Sequence, residues 1–202
     1  TIKNTKVKTL KSSRGKIYDC NGKVLASNEQ SYSITIEDTG ELKDNKTTNE
    51  MILKCISLIE KHGDKLSVEF PIEITKKGRF RFTVDKKAQL RFKREIYFLK
   101  SVDDLTKEQK EMSAEECFRY IRTSTKTNNI HFFDPLTGEE KTKEQMEKKE
   151  QNYDDATALK IMKVRYALMM NTYQKYEPVT IASDVSPETV AAIKENSANM
   201  TG

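Results

Sequence analysis

Ser13 and Lys16 are the first residues that could do covalent chemistry, because they have the Ser-x-x-Lys spacing of a serine nucleophile and its base. In that chemistry the serine begins a helix, so that the lysine one turn later can accept its proton. Gly15 lies between them and a strand pattern follows, which argues against a helix here. A Ser-x-Asn match at 197–199 lies near the other end of the chain, and no Lys-Thr-Gly triplet exists. We therefore expect no catalysis by this chain. A hydrolase acting through Ser13 is kept as an alternative.

The possible metal ligands are too scattered to form a site. Cys20, Cys55 and Cys117 show no Cys-x-x-Cys spacing, and His62 and His131 stand alone. The odd number of cysteines also argues against a disulfide framework. We expect no metal or other cofactor, and we expect Cys55 and Cys117 to be small core residues.

The composition is that of a folded, polar domain. Of 202 residues, 36% are hydrophobic and 33% are charged, and the net charge is +5. Charges of both signs are interspersed, except for one basic cluster near the start, formed by Lys3, Lys6, Lys8, Lys11, Arg14 and Lys16. Such a cluster suits an anionic membrane surface, and a basic nucleic-acid-binding module is the alternative function. No apolar run of about 20 residues is present, and Thr1 indicates a fragment of a longer protein.

The first part of the chain predicts strands. Asn21-Gly22 between two apolar runs predicts a hairpin with a type I′ turn, which needs positive φ at both central residues. Alternation over 31–36 predicts a half-buried strand. Residues 47–50, Thr-Thr-Asn-Glu, match a capping box that opens a helix, and Gly63 suits the end of that helix.

The middle of the chain predicts a second hairpin and several helices. Lys76-Lys77-Gly78 joins the two hairpin strands, and a helix is predicted over 86–99. Capping boxes begin at Thr106 and Ser113. Residues 137–152 are almost wholly polar, which predicts a solvated helix or a mobile loop, with a docking surface as the alternative.

The last third predicts the longest helix, a strand and a final helix. Asp154 or Asp155 caps the helix predicted over 155–172, and Arg165 falls on its apolar stripe, where a charge needs a partner. A short strand follows over 178–182, and Ser186 begins the last helix with proline at its first position. Because hairpin-linked strands and helices do not alternate one for one, the pattern predicts an α+β fold. We expect antiparallel strands forming a neck sheet and a largely helical inserted head.

Residues 14–26, Arg-Gly-Lys-Ile-Tyr-Asp-Cys-Asn-Gly-Lys-Val-Leu-Ala, resemble the opening motif Arg-Gly-x-Ile-x-Asp-Arg-Asn-Gly-x-x-Leu-Ala of the class B penicillin-binding protein pedestal. A second stretch, within 164–196, is similar to the segment that leads towards the transpeptidase domain in that family. Two departures stand out: Cys20 replaces the usual arginine, and Met200-Thr201-Gly202 replaces Leu-Pro-Gly.

The resemblance implies a non-catalytic pedestal, or dimerisation, domain. The parent would be a peptidoglycan D,D-transpeptidase on the extracytoplasmic face of the membrane, anchored by an N-terminal helix absent from this chain. The implied partners are the transpeptidase domain of the same parent chain, a SEDS-type membrane glycosyltransferase and a second copy. No cofactor and no nucleic acid are implied.

The resemblance also divides the chain into a neck, residues 1–36 with 176–202, and an inserted head with a long connecting helix, residues 37–175. The residues expected to carry structural or interaction roles are Arg14, Gly15, Asp19, Asn21, Gly22, Arg165 and Glu195. We expect Arg165 to be partly buried and to pair with Asp19 or Glu195, which would tie the hairpin, the long helix and the last helix together. The alternative is that Arg165 extends its guanidinium to water.

Overall fold

A computed structural model describes residues 7–10, 17–26, 31–37, 45–123, 153–171 and 177–197. The elements are, in order, β1 (Val7–Leu10), β2 (Ile17–Tyr18), β3 (Val24–Ala26), β4 (Ser31–Ile36), α1 (Asn45–Lys61), β5 (Ile72–Ile74), β6 (Phe80–Phe82), α2 (Lys86–Ile96), a 3-10 helix (Val102–Asp104), α3 (Lys107–Glu111), α4 (Ala114–Thr123), α5 (Asp155–Met170), β7 (Val179–Ser183) and α6 (Pro187–Ser197). The predicted α+β class is confirmed.

The chain divides into two compact units. Unit 1 comprises Thr1–Glu41, Met51–Val68 and Met170–Gly202, and unit 2 comprises Leu42–Glu50 and Glu69–Met169. The predicted neck and head boundaries stay a prediction.

Unit 1 contains a three-stranded antiparallel sheet in the order β1-β4-β7. The pair Ile34↔Ala182 joins β4 to β7, although the two strands lie far apart in sequence. Ile34 and Ile181 are fully buried, and α1 adds further buried residues to the core of this unit, namely Ile52, Cys55, Ile56 and Ile59. Strands from the two ends of the chain therefore meet in one sheet, whereas the motif strands β2 and β3 pair with each other in a separate two-stranded sheet.

The first hairpin differs from the prediction in its turn. Gly22 has φ +79°, but Asn21 is not among the residues with positive φ, so the turn is not type I′. The Gly22 N–H donates to the Asp19 carbonyl at 3.0 Å, and the Asp19 N–H donates to the Lys23 carbonyl at 2.8 Å. This is a three-residue loop, in which a type I turn is followed by a left-handed glycine. The same loop, with Gly78 at φ +75°, closes the second hairpin.

Helix α1 differs from the prediction at its start and agrees with it at its end. It begins at Asn45, so Thr47 lies inside the first turn and is not the N-cap residue. Gly63 ends the helix at φ +85°, and the N–H groups of Gly63 and Asp64 donate to the carbonyls of Glu60 and Ile59. This pair of bonds is a Schellman motif, which satisfies the last carbonyls of the helix.

The predicted capping boxes of unit 2 are present. The Thr106 hydroxyl accepts the Gln109 N–H at 3.2 Å, and Gln109 Oε1 accepts the Thr106 N–H at 2.9 Å. Ser113 and Glu116 form the same reciprocal pair at the start of α4. The sequence offered Asp154 and Asp155 as alternative caps of α5. Asp154 is the cap, because its Oδ1 accepts the Thr157 N–H at 2.7 Å.

Aromatic rings form the centre of unit 2. Phe70, Phe92 and Tyr166 contact one another edge to face, with ring centroids 5.4 to 5.5 Å apart. Phe80 of β6 packs on Phe118 of α4 at 4.8 Å. Edge-to-face aromatic packing fixes relative orientation as well as burying area, so the hairpin, α2, α4 and α5 are held together around these rings.

Candidate functional site

The motif turn is organised by Asp19. Its Oδ1 accepts the N–H groups of Asn21 at 2.9 Å and of Lys23 at 2.7 Å, which is an Asx turn. The carboxylate of Asp19 is thus used to fix the backbone of its own hairpin loop, and Gly22 supplies the left-handed conformation that the loop needs. Within this loop, the motif residues have a structural role.

Two of the predicted site residues, Arg14 and Gly15, lie outside the described residues, as do Ser13, Lys16, His131 and the polar segment 137–152. The predictions made for them are not tested by the structure. Cys20, which replaces the family arginine, is exposed on the motif turn.

Arg165 is half-buried on α5 and donates from Nη1 to Asn49 Oδ1 at 3.0 Å. Asn49 is fully buried in the first half of α1, and its Nδ2 is buried without a hydrogen-bond partner. The sequence did not indicate Asn49, because it sits inside a helix and carries no charge. The predicted pairing of Arg165 with Asp19 or Glu195 stays a prediction; Glu195 lies exposed on α6.

A second arginine site, which the sequence analysis missed, joins α4 to α5. Asp155 accepts two parallel hydrogen bonds from Arg119, at 2.7 and 2.8 Å, and a further one from Nη1 of Arg122. Arg122 is only 2% exposed, and its Nη2 donates to the Tyr153 carbonyl. Burial acts to lower the pKa of Arg122, and the charge of Asp155 opposes that effect. The cluster closes unit 2 between the end of α4 and the start of α5.

Asp64 carries a third polar network, in unit 1, that links the end of α1 to the start of α6. Its Oδ2 accepts the Ser186 N–H at 2.9 Å, the Ser186 hydroxyl at 2.8 Å and the Thr189 hydroxyl at 2.5 Å. Ser186 itself caps α6, as predicted, by accepting the Thr189 N–H at 3.3 Å. Desolvation acts to raise the pKa of Asp64, but the hydrogen bonds from Thr189 and Ser186 outweigh it, so the pKa lies below its usual 3.8.

The described residues offer little for covalent or metal chemistry. Burial raises the pKa of the Cys55 and Cys117 thiols to about 12, so both are protonated at neutral pH. Within the described ranges, no group of three or more His, Cys, Asp or Glu residues is placed to hold a metal ion. None of the described helices is long and apolar enough to cross a bilayer.

The family model of the penicillin-binding protein dimerisation domain matches residues 9–202. The comparison with curated proteins finds no match. The family match covers nearly the whole chain, including β4, β7 and all of unit 2.

Proposed function

The chain belongs to the penicillin-binding protein dimerisation domain family, and from that membership we propose that it is the pedestal of a class B penicillin-binding protein. The family's domain is non-catalytic, so this chain is not itself an enzyme. In our proposal, the parent protein cross-links peptidoglycan by D,D-transpeptidation on the extracytoplasmic face of the membrane. The pedestal holds the transpeptidase domain at a fixed place above the membrane and offers surfaces to a SEDS-type glycosyltransferase and to a second copy.

The pairing of β4 with β7 is the observation that best supports this role. It joins a strand from the start of the chain to a strand near its end. Ile34 of β4 and Ile181 of β7 are both fully buried, and this burial stabilises the pairing of the two strands. A spacer must transmit position without bending, and a sheet with a packed face resists bending better than a flexible linker.

The test separates positioning from chemistry in the full-length penicillin-binding protein. Ile181→Asp puts a charge into the sheet core, whereas Thr180→Asp, on the exposed side of the same strand, is the matched control. We expect Ile181→Asp to keep labelling by a fluorescent penicillin, because the nucleophile lies in another domain, and to lose complementation of cell-wall growth at equal protein level.

Two outcomes would contradict the proposal. One is full complementation by Ile181→Asp when hydrogen exchange shows its sheet to be disrupted, since the pedestal would then not be needed. The other is loss of penicillin labelling in step with loss of complementation, since the segment would then act as part of the catalytic domain.

A further inference from the structure

Asn21-Gly22 is a dipeptide with covalent chemistry of its own, which the structural role of the motif turn does not use. Asn21 is the only asparagine of the chain that is followed by glycine. The main-chain nitrogen that follows an asparagine can attack the side-chain carbon Cγ and close a five-membered succinimide ring. Glycine resists this attack least, because it has no Cβ. An exposed Asn-Gly is therefore a candidate site of deamidation.

The reaction needs only water as its co-reactant. The Gly22 nitrogen gives its proton to a solvent base and bonds to Cγ of Asn21, and the bond from Cγ to Nδ2 breaks, so that Nδ2 leaves as ammonia. Water then opens the ring at one of its two carbonyls. Opening at the side-chain carbonyl leaves aspartate, and opening at the main-chain carbonyl leaves isoaspartate, in which the chain runs through Cβ and Cγ. In both cases one water is consumed and one ammonia is released.

Water reaches this dipeptide in the folded chain. Asn21 and Gly22 are both exposed. A Cβ added to Gly22 would meet no described atom within 4 Å, so the space beside the attacking nitrogen is open. Access of water therefore does not protect Asn21, and any protection must come from the conformation of the motif turn.

The conformation of the motif turn opposes the attack. The Gly22 N–H donates to the Asp19 carbonyl at 3.0 Å, which holds the proton that the nitrogen must lose. Asn21 occupies the second central position of a type I turn, where ψ is about 0°. At that ψ the Gly22 nitrogen points away from the Asn21 side chain, so the chain must rotate about the Cα–C bond of Asn21 before the ring can close. Asp19 Oδ1 resists this rotation, because it accepts the N–H groups of Asn21 at 2.9 Å and of Lys23 at 2.7 Å, one on each side of that bond.

We propose that Asn21 is a deamidation site whose reaction rate is set by opening of the motif turn. The folded turn exposes the amide to water but holds it unreactive, and only the open turn brings the Gly22 nitrogen against Cγ. When opening and closing are fast, the observed rate is the rate of the open state multiplied by its population.

Isoaspartate makes the change permanent. Its main chain is one atom longer, so the bonds from Gly22 to Asp19 and from Asp19 to Lys23 lose the spacing that the three-residue loop gives them. Its free carboxylate also adds a second negative charge close to that of Asp19, and like charges so close repel each other. A turn that has once opened and reacted to isoaspartate therefore does not close again.

The first experiment compares deamidation rates in the whole chain at mildly alkaline pH. Peptide mapping by mass spectrometry measures the loss of the Asn21 amide, and methylation by an isoaspartyl carboxyl methyltransferase measures isoaspartate. Asp19→Ala removes both carboxylate bonds that hold the turn, so we expect Asn21 to react about tenfold faster than in the wild type. Asp85→Ala is the matched control, because it removes the exposed N-cap carboxylate of α2 instead, and it should leave the Asn21 rate unchanged. The wild type unfolded in urea should react fastest of all.

The second experiment tests whether isoaspartate prevents the turn from re-forming. The isoaspartate form of the chain, separated after incubation, is compared with Asn21→Asp, which has the same added charge on an ordinary main chain. Amide hydrogen exchange of Gly22 and Lys23 is measured by NMR. In Asn21→Asp the exchange rates should stay within about threefold of the wild type, because aspartate is a common turn residue. In the isoaspartate form they should rise by about tenfold or more, because both N–H groups lose their acceptors.

The proposal is overturned if the folded wild type deamidates as fast as the chain unfolded in urea, because the turn would then give no protection. A rate in Asp19→Ala no higher than in the wild type, or an Asn21 amide that stays intact even in urea, would contradict it as well. Exchange rates in the isoaspartate form that match those of the wild type would refute the permanence of the change. None of these results bears on the complementation test of the pedestal, so the two proposals fail independently.

Discussion

Asp64 offers the sharpest test of how unit 1 is assembled, because one carboxylate oxygen accepts three hydrogen bonds at the start of α6. The perturbation is Asp64→Asn, which keeps the shape and removes the charge. Glu188→Gln is the matched control, since Glu188 is an exposed acid in the first turn of the same helix. The control measures how much a negative charge near this helix N-terminus contributes without the specific hydrogen bonds.

The expected loss can be worked from these contacts. A hydrogen bond to a charged group contributes about 1.5–3 kcal/mol, and an acid beside a helix N-terminus about 0.3–1 kcal/mol. The three bonds share one oxygen of a half-buried residue, so they do not add and solvent screens part of the charge. We expect Asp64→Asn to lower the free energy of unfolding by about 2 kcal/mol, and Glu188→Gln by about 0.5 kcal/mol.

The pH dependence has a definite sign. The pKa of Asp64 is lowered in the folded state from its usual 3.8. A carboxyl group with a depressed folded pKa contributes stability that is complete above the unfolded pKa and is lost as the pH falls through the folded pKa. The stability gap between wild type and Asp64→Asn should therefore be constant from neutral pH down to about pH 5 and should close below about pH 4.

The assay is urea unfolding followed by far-UV circular dichroism, with native-state hydrogen exchange of α6 amides as the local readout. If the two units unfold separately, the loss should fall on the transition that exposes the amides of Val190 and Ile193. A loss in Asp64→Asn no larger than in Glu188→Gln, or a gap that persists unchanged into acid, would refute the reasoning, because the specific carboxylate bonds would then contribute nothing.

Three further predictions concern the other sites. Asp155→Ala should lower the free energy of unfolding by about 3 kcal/mol, because it removes the carboxylate that the buried Arg122 of α4 contacts. In the same urea assay Glu115→Ala, which removes only a surface ion pair with Arg119, should change the free energy of unfolding by less than about 0.5 kcal/mol. Arg165→Met should cost about 1–3 kcal/mol, because buried Asn49 loses the hydrogen bond to its Oδ1; an unchanged midpoint at constant m-value would favour an arginine that extends to water. Incubation with a fluorescent penicillin should leave the mass of the chain unchanged, and a stoichiometric adduct at Ser13 would overturn the non-catalytic assignment.

Features that depend on neighbouring residues could be predicted from the sequence. The capping boxes that begin at Thr106 and Ser113, the glycine stop at Gly63 and the Ser186 cap all satisfy backbone groups within four residues. Such bonds leave a fixed spacing of residue types in the chain, and each was confirmed. The start of α1 was wrong because a four-letter capping match does not exclude a helix that begins earlier.

Features that depend on distant residues could not be predicted in this way. Asp64 lies 122 residues before Ser186, and Asn49 lies 116 residues before Arg165. Nothing in the local pattern of either partner indicates the other, because the pairing follows from how the helices pack. Helix α5 shows the same limit, because its buried residues Ala158, Leu159, Ile161, Met162 and Val164 spread over more of the helix than one apolar stripe.

At Phe98, with φ +54°, the local pattern and the structure disagree, because a left-handed position at a helix end favours glycine. Elsewhere the left-handed positions of the hairpin loops and of the α1 terminus are filled by glycine, which is the choice that local stability favours. Asp184 also has positive φ, at 54°, but its carboxylate accepts the Ser31 hydroxyl across the sheet, so a contact within unit 1 accounts for an acid at that position. Phe98 has no polar group for such a contact, but it is only 39% exposed, so most of its surface is covered by the protein. Phe98→Gly therefore has two opposed effects on stability: it removes the left-handed strain at the end of α2, and it loses the covered part of the ring. An increase of the urea midpoint would show that the strain is the larger effect, and a decrease would show that the packing of the ring is.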